Sequence, residues 1–292
     1  FLGSGQYSVP QMQKGGLTVG TFAVYLEDHH LDHALQRGLE MTWYLLQEVR
    51  ENPVFELIKT TADIRRIKKE KKVGGILAFE GLEPLEAELK FLDIFYELGL
   101  RMGSLTHNRR NFFADGKQPG VKLGGLTHLG QTAVKRMNEL GIVIDVGHIN
   151  QTGFWDILEL TSEPIVFSHI GPSALLLPSD QHKPGAGYDM PEFREPLEAL
   201  VKNGAVIGMI FFGEKNVDSI IDHIETLLDI VGPDHIGLGS DYCGFEYSPE
   251  GFDDISKLPL LTRRLVERGH SDEVILKILG ENYMRVFDKV WK

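Results

Sequence analysis

The stretch Ile142–His148, with the sequence IVIDVGH, is a short apolar run that ends on an imidazole. Four further apolar runs also stop at a side chain that can bind a metal or carry a proton: Val73–Phe79 before Glu80, Leu100–Thr106 before His107, Ile165–Ser168 before His169, and His235–Ser240 before Asp241. Continuous apolar runs are typical of strands that are buried on both faces of a parallel sheet. Because the strands of a β/α barrel all end on one face, where catalytic groups collect, this pattern predicts a metal-dependent active site at the mouth of such a barrel.

Seven strand candidates alternate with helix-like segments along the chain, which indicates βαβ units and a parallel sheet. The strand candidates are Leu17–Leu26, Gly75–Glu80, Leu100–Thr106, Ile142–His148, Ile165–His169, Ala205–Phe211 and Ile236–Asp241. A barrel of this class closes with eight strands. Either the first strand precedes Phe1, which is the more economical explanation, or a strand between Val54 and Thr60 escapes the pattern. We therefore predict an α/β fold, a (β/α)8 TIM-like barrel that lacks its first strand in this chain, formed as one domain by residues 1–292.

Helix candidates fill the intervals between these strands. They include His30–Arg50, Glu83–Leu98 and, at the end of the chain, Asp272–Lys289. Two loops, Asn108–Gly125 and Pro172–Asp189, are longer than the connections that are usual in a compact domain. Both loops follow a strand that ends on a candidate site residue, so we expect them to take part in function.

The composition argues against several classes of partner. The 292 residues are 42% hydrophobic and 25% charged, as in an ordinary globular domain, and the net charge of −12 argues against nucleic acid or an anionic membrane as the main partner. Cys243 is the single cysteine, so the chain has no disulfide framework, and we expect a reducing, cytoplasmic location. No apolar run approaches the roughly 20 residues of a membrane span, and no signal peptide is visible.

His148 and His169 are the strongest candidate metal ligands. Each ends a strand, and neighbouring parallel strands lie about 4.8 Å apart, so two imidazoles at these ends can reach one divalent ion. Glu80 is the third candidate, because its two oxygens can bridge two cations and Gly81 lets the chain turn sharply at the mouth. Alternatives stay open at this point: either histidine could cap its strand by bonding a backbone carbonyl, and Glu80 could be a surface carboxylate before a loop.

Asp241 and His107 are the candidate catalytic and substrate-binding residues. Asp241 could bind metal or act as a general base toward a metal-activated water, and the alternative is a local turn-forming role. His107 could donate a hydrogen bond to a developing oxyanion when it is neutral, or bind a carboxylate when it is protonated. The alternative for His107 is simple packing against its loop. We predict that both side chains contact the substrate.

Five motifs, in this order along the chain, resemble those of the renal (membrane) dipeptidase family. They are LTHN at Leu105–Asn108, IDVGH at Ile144–His148, PIVFSH at Pro164–His169, GSDY at Gly239–Tyr242 and GENYMRVF at Gly280–Phe287. The resemblance extends from about Gly15 to the end of the chain. It implies a distorted (β/α)8 barrel of the amidohydrolase-like kind, which binds two zinc ions and hydrolyses dipeptides, in some cases with a D-residue on the C-terminal side.

The resemblance also implies a role for each candidate residue. Glu80 falls on the glutamate that bridges the two metals, and His148 and His169 fall on the later histidine ligands of the second metal. His107 falls on the histidine that contacts the substrate, and Asp241 on the aspartate near the scissile bond. The implied cofactor is Zn2+, two per subunit where a strand with the ligands of the first site is present. The implied partner is a small peptide substrate, and a homodimer is a further expectation.

Three departures from the family pattern bear on these expectations. The Asp-x-His-x-Asp type motif that supplies the ligands of the first metal is absent here and would lie just upstream of Phe1. The carboxylate-binding arginine of the family, about eleven residues after the second late histidine, is replaced by Asp180, inside the unusual stretch Gly171–Asp189. Cys243 stands where a family turn has its second aspartate.

The combined interpretation is a binuclear zinc hydrolase that cleaves dipeptides. In it a hydroxide held by the metals attacks the peptide carbonyl, Asp241 transfers the proton and His107 stabilises the oxyanion. Two alternatives stay open. One is a hydrolase of another amide or a lactam, if Gly171–Asp189 has reshaped the pocket, and the other is a non-catalytic barrel that has lost its first metal site. An Asp-x-His motif encoded upstream of Phe1 would favour the enzyme.

Overall fold

A computed structural model describes residues 5–117, 124–170 and 191–292, and within them eight strands form one parallel sheet. The strands are β1 (Val19–Val24), β2 (Phe55–Leu57), β3 (Val73–Glu80), β4 (Leu100–Ser104), β5 (Val143–Asp145), β6 (Val166–Ile170), β7 (Val206–Met209) and β8 (Ile236–Leu238). The main path of the sheet runs β1-β3-β4-β5-β6-β7-β8, and β2 pairs with β3. The fold is therefore the parallel α/β arrangement of a TIM-like barrel, as predicted.

Helices separate the strands along the chain and cover the outside of the sheet. They are α1 (Val9–Gly15), α2 (Ala34–Glu51), α3 (Thr61–Glu70), α4 (Lys90–Leu98), α5 (His128–Leu140), α6 (Gln151–Leu160), α7 (Pro191–Asn203), α8 (Val217–Val231), α9 (Leu258–Glu267), α10 (Asp272–Leu276) and α11 (Asn282–Val290). A search of the described part of the chain finds no helix with the length and apolar character needed to cross a bilayer.

All seven strand predictions correspond to strands of the sheet, although most of the observed strands are shorter. The missed strand is β2, which lies inside the interval between Val54 and Thr60. The count of seven strands in the chain was therefore wrong, and the correct count for the described residues is eight. The prediction of a further strand before Phe1 stays a prediction.

β2 does not extend the edge of the sheet. β1 pairs with β3 along Gly74–Phe79, so β2 and β4 must both lie on the opposite edge of β3. β2 takes the first part of that edge, Val73–Gly75, and β4 takes Leu77–Glu80. Within the described residues β1 and β8 are not paired, so the sheet is open between its first and last strands.

Two predicted helices are broken by single residues. The predicted helix Glu83–Leu98 is a 3-10 turn at Glu83–Leu85 followed by α4, because Glu86 has a left-handed backbone with φ 52°. The predicted helix Asp272–Lys289 is divided into α10 and α11 by Gly280, whose φ is 157°. Apolar periodicity continues across both breaks, so the pattern alone does not show them.

Candidate metal centre

The five candidate site residues all lie at the carboxyl ends of strands. Glu80 is the last residue of β3 and His169 lies near the end of β6. His107, His148 and Asp241 each come three residues after the end of a strand, namely β4, β5 and β8. Because every strand pair in the sheet is parallel, these ends open onto the same face. The structure thus brings the candidates to one mouth.

Glu80, His148 and His169 converge on one point. The Nε2 atom of His148 lies 2.9 Å from Oε1 of Glu80 and 2.7 Å from Nε2 of His169, and the distance from His169 Nε2 to Glu80 Oε1 is 3.8 Å. One ligand atom from each side chain lies within 4.8 Å of the others. Two imidazole nitrogens and a carboxylate oxygen are a donor set that zinc prefers, so these residues fit a divalent metal.

The outer nitrogens of both imidazoles have hydrogen-bond partners that orient the rings. Nδ1 of His148 lies 2.9 Å from Oδ1 of Asn108, which can only accept, so this nitrogen carries a proton and Nε2 keeps its lone pair. Nδ1 of His169 lies 2.7 Å from the hydroxyl of Ser168, which can accept a hydrogen bond from it and so leaves the lone pair on Nε2. Such outer partners are a regular feature of metal-binding histidines. The sequence places Asn108 and Ser168 directly after His107 and before His169, but that position does not reveal their role.

The protonation states of Glu80 and His148 are those that metal binding requires. Burial raises the pKa of the Glu80 carboxyl, but in acid the protonated imidazole of His148 donates a hydrogen bond to it and the charges of the neighbouring imidazoles add to this effect, so the pKa falls to about 2. Burial lowers the pKa of His148 to about 4. At neutral pH the carboxylate is therefore ionised and the imidazole of His148 is neutral, so no proton has to be removed from it before a metal binds.

His107 lies beside this cluster without completing it. Its Nε2 atom is 3.9 Å from Oε1 of Glu80, and its ring centroid is 4.1 Å from that of His148. The ring also contacts Tyr25, with 4.5 Å between centroids. Burial lowers the pKa of His107 to about 4, so the ring is neutral at physiological pH and can donate one hydrogen bond.

Asp241 approaches the cluster from the end of β8. A Cβ atom on Gly239 would lie 1.7 Å from the carbonyl oxygen of Ser168, so only glycine lets this segment pass against the end of β6. Asp241 and His148 both have left-handed backbones, with φ of 58° and 61°. Non-glycine residues in such conformations cost roughly 1 kcal/mol or more and cluster at functional sites. Burial raises the pKa of the Asp241 carboxyl to about 6, with smaller effects from His169 and Glu80.

Asp145 connects the two histidine-bearing strand ends. Its Oδ1 atom accepts hydrogen bonds from the backbone N–H groups of Gly147, at 2.8 Å, and Ser168, at 3.0 Å. These two residues directly precede His148 and His169. Asp145 is buried, and its hydrogen bond with Gly147 is shielded from water while that with Ser168 is partly shielded. The sequence showed Asp145 only as an interruption in an apolar strand, and its role depends on the pairing of β5 with β6.

We expect Asp145→Ala to destabilise the fold by roughly 2–5 kcal/mol, because it leaves two backbone donors without their acceptor. The same change should weaken metal binding, since both histidines lose their support. Urea unfolding and zinc titration measure the two effects. Asp145→Asn, which keeps an acceptor oxygen, is the matched control and should lose much less. Equal losses in the two variants would contradict this role.

The two arginines after His107 are already bound to carboxylates of the protein. Arg109 donates to the carboxylate of Glu83 and, in the segment after β1, to the carboxylate of Asp28 and the backbone carbonyl of Leu26. Arg110 pairs with Asp115. Neither arginine therefore reaches a substrate carboxylate without giving up an existing ion pair. Asp180, the residue predicted to replace the arginine of the family, lies outside the described residues.

A family model described as "Membrane dipeptidase (Peptidase family M19)" matches residues 2–292 of the chain. "Dipeptidase verJ" from Clonostachys rogersoniana is 31% identical over 242 residues, which cover 80% of this chain and 60% of that protein. "Dipeptidase tcpJ" from Claviceps purpurea is 29% identical over 269 residues, covering 88% of this chain and 61% of that protein. The chain thus spans about three fifths of the length of these two curated relatives.

Solved structures show the same fold over nearly the whole chain. The metallopeptidase described as dipeptidase AC has a TM-score of 0.87 and 27% identity, and covers 99% of this chain and 90% of its own. A metallopeptidase from Rhodobacter sphaeroides, solved with a phosphinate mimic of the dipeptide L-Ala-D-Ala, has a TM-score of 0.87 and 25% identity, with coverages of 99% and 91%. An amidohydrolase from Burkholderia multivorans with bound zinc has a TM-score of 0.56 and 15% identity, which is a likeness of fold.

Proposed function

Since this chain belongs to the membrane dipeptidase family, peptidase family M19, we propose that it is a zinc-dependent hydrolase that cleaves dipeptides. The observation that carries the proposal is the convergence of Glu80, His148 and His169 at the mouth of the barrel. The names of the two fungal relatives and the dipeptide mimic bound by the Rhodobacter sphaeroides protein support a dipeptide as substrate.

Glu80, His148 and His169 are the residues that would hold a zinc ion. A bound zinc would supply Lewis-acid polarisation of the peptide carbonyl. Glu80 has a second carboxylate oxygen, and a second zinc is proposed for a full-length protein that carries the Asp-x-His ligands of the family before Phe1. The three ligands come from β3, β5 and β6, so the fold of the sheet fixes their separation before any metal arrives.

Asp241 would transfer the proton of the attacking water, and His107 would stabilise the negative charge that develops on the carbonyl oxygen. A carboxyl whose pKa burial has raised to about 6 can both accept a proton and release it near neutral pH, which suits transfer from the attacking water to the leaving amine. Neutral His107 would donate a hydrogen bond to the carbonyl oxygen as negative charge develops on it. The proximity of His107 to Glu80, and the influence of Glu80 and His169 on the Asp241 carboxyl, support these roles.

The range of substrates that the protein hydrolyses tests the proposal. An arginine that grips a carboxylate in bidentate fashion is worth a few kcal/mol, and its replacement by Asp180 should raise the KM for free dipeptides by roughly a hundredfold. We therefore expect hydrolysis of dipeptides with high KM and only a small preference for a free C-terminal carboxylate. Steady-state kinetics on L,L- and L,D-dipeptides, N-acyl amino acids and C-terminally amidated dipeptides measure this preference.

The outcomes of this panel are distinct. Hydrolysis that is lost with a chelator and restored by zinc supports the proposed activity, whereas turnover of N-acyl amino acids alone would favour another amidase. Micromolar KM for free dipeptides, with the amidated analogues much poorer, would show that another group binds the carboxylate. No turnover of any substrate by the zinc-loaded full-length protein would contradict the proposed function.

A further inference from the structure

A second group of metal-binding side chains lies outside the centre, in the segment that follows β1. Glu27 and His29 are exposed and His30 is half-buried, and one ligand atom from each lies within 4.8 Å of the others. Nδ1 of His29 is 3.2 Å from Oε2 of Glu27, and the ring centroids of His29 and His30 are 4.0 Å apart. Neither the family motifs nor the proposed mechanism uses these residues.

The backbone that carries these side chains is held in place. His30 donates its backbone N–H to the carbonyl of Glu27 at 2.9 Å, which closes the first turn of the 3-10 helix Asp28–His33. Arg109 donates to the backbone carbonyl of Leu26 and to the carboxylate of Asp28, the residues on either side of Glu27. These hydrogen bonds connect the turn to the loop after β4. Successive side chains of an extended chain point to opposite sides, but this turn brings both imidazoles to the same side. A fixed backbone lowers the entropy cost of gathering the ligands.

The chemistry of the three side chains selects the kind of ion. Two imidazole nitrogens and one carboxylate oxygen suit a borderline divalent ion such as zinc, whereas calcium and magnesium prefer oxygen ligands throughout. Three protein ligands leave the remaining coordination positions to water. Because the site is open to solvent, an ion there exchanges more readily than one in the buried centre.

We propose that Glu27, His29 and His30 form an additional, exchangeable zinc site on the rim of the barrel mouth, outside the centre at Glu80. The site is separate from the centre at Glu80, and it does not depend on the proposed hydrolase activity. We expect it to bind zinc more weakly than the buried centre, because Glu27 and His29 are exposed. Its occupancy would therefore follow the concentration of available zinc while the centre stays filled.

Titration of metal-depleted full-length protein with zinc, in competition with a chromophoric chelator, tests the site. We expect His29→Ala/His30→Ala to weaken the low-affinity binding about tenfold or more, since it removes two of three ligands. His33→Ala removes an exposed histidine from the same 3-10 helix and should leave binding unchanged. The same low-affinity binding should persist in His148→Ala/His169→Ala, where the centre no longer contributes. Thermal melts of each variant establish that it is folded.

Three results would overturn the proposal. A titration curve of His29→Ala/His30→Ala that matches that of the wild type would show that these imidazoles do not bind zinc. Equal weakening in His29→Ala/His30→Ala and His33→Ala would assign the binding to the histidines of the whole segment rather than to the three ligands. Displacement of zinc by a modest excess of magnesium would show that oxygen ligands, and not the imidazoles, hold the ion.

Discussion

Replacing His148 or His169 with alanine is expected to remove tightly bound zinc from the centre and to lower kcat/KM for a dipeptide by about a thousandfold or more. Each imidazole supplies one of three converging ligand atoms, and the remaining two cannot hold an ion firmly. Elemental analysis after dialysis measures the metal content, and initial rates at low substrate concentration measure kcat/KM.

His128→Ala is the matched control for this experiment. His128 is exposed at the first position of α5 and belongs to neither group of metal-binding side chains, so its loss should change neither metal content nor rate. Far-ultraviolet circular dichroism of the metal-free proteins should be the same for all variants. A His148→Ala or His169→Ala protein that keeps its full metal content would count against the ligand assignment, even if its activity were low.

The strand ends that carry the site could be predicted because burial on both sides leaves a simple pattern. β3 is buried over Val73–Phe79 and only Glu80 is partly exposed, so the change from apolar to polar marks where the strand meets the mouth. β2 escaped the same reasoning. It is only three residues long, and Glu56 and Leu57 are partly exposed, so its sequence has neither a continuous apolar run nor a clear alternation.

Two of the contacts that support the ligands could not be predicted, because they join residues that are distant in sequence. Asn108 and His148 are 40 positions apart, and Asp145 and Ser168 are 23 apart. A polar residue beside a site could have any of several local hydrogen-bond partners, and only the pairing of the strands shows which partner it has. The ligands themselves have a sequence signal because each ends its own strand, whereas their supports have none of comparable strength.

Replacing Asp241 with asparagine is expected to lower kcat by roughly a hundredfold to ten-thousandfold, because asparagine cannot accept and return a proton. The same change should stabilise the metal-free protein at neutral pH. Burial raises the pKa of this carboxyl from the ordinary value of 3.8 to about 6, so its ionised form is disfavoured in the fold. A neutral amide of the same shape removes that cost, by roughly 1–3 kcal/mol at pH 7.

The direction of this pKa shift determines how the gain in the free energy of unfolding varies with pH. A raised carboxyl pKa favours the folded state below pH 3.8, and that contribution is lost as the pH rises through about 6. Urea unfolding of the metal-free proteins should therefore show little difference between wild type and Asp241→Asn near pH 4 and the full gain above pH 6. Asp253→Asn, at an exposed position of the same loop, should show no such pH-dependent gain. If Asp241→Asn is inactive but no more stable at pH 7, the carboxyl is not strained by burial, and a pKa near 6 cannot be the basis of its role in proton transfer.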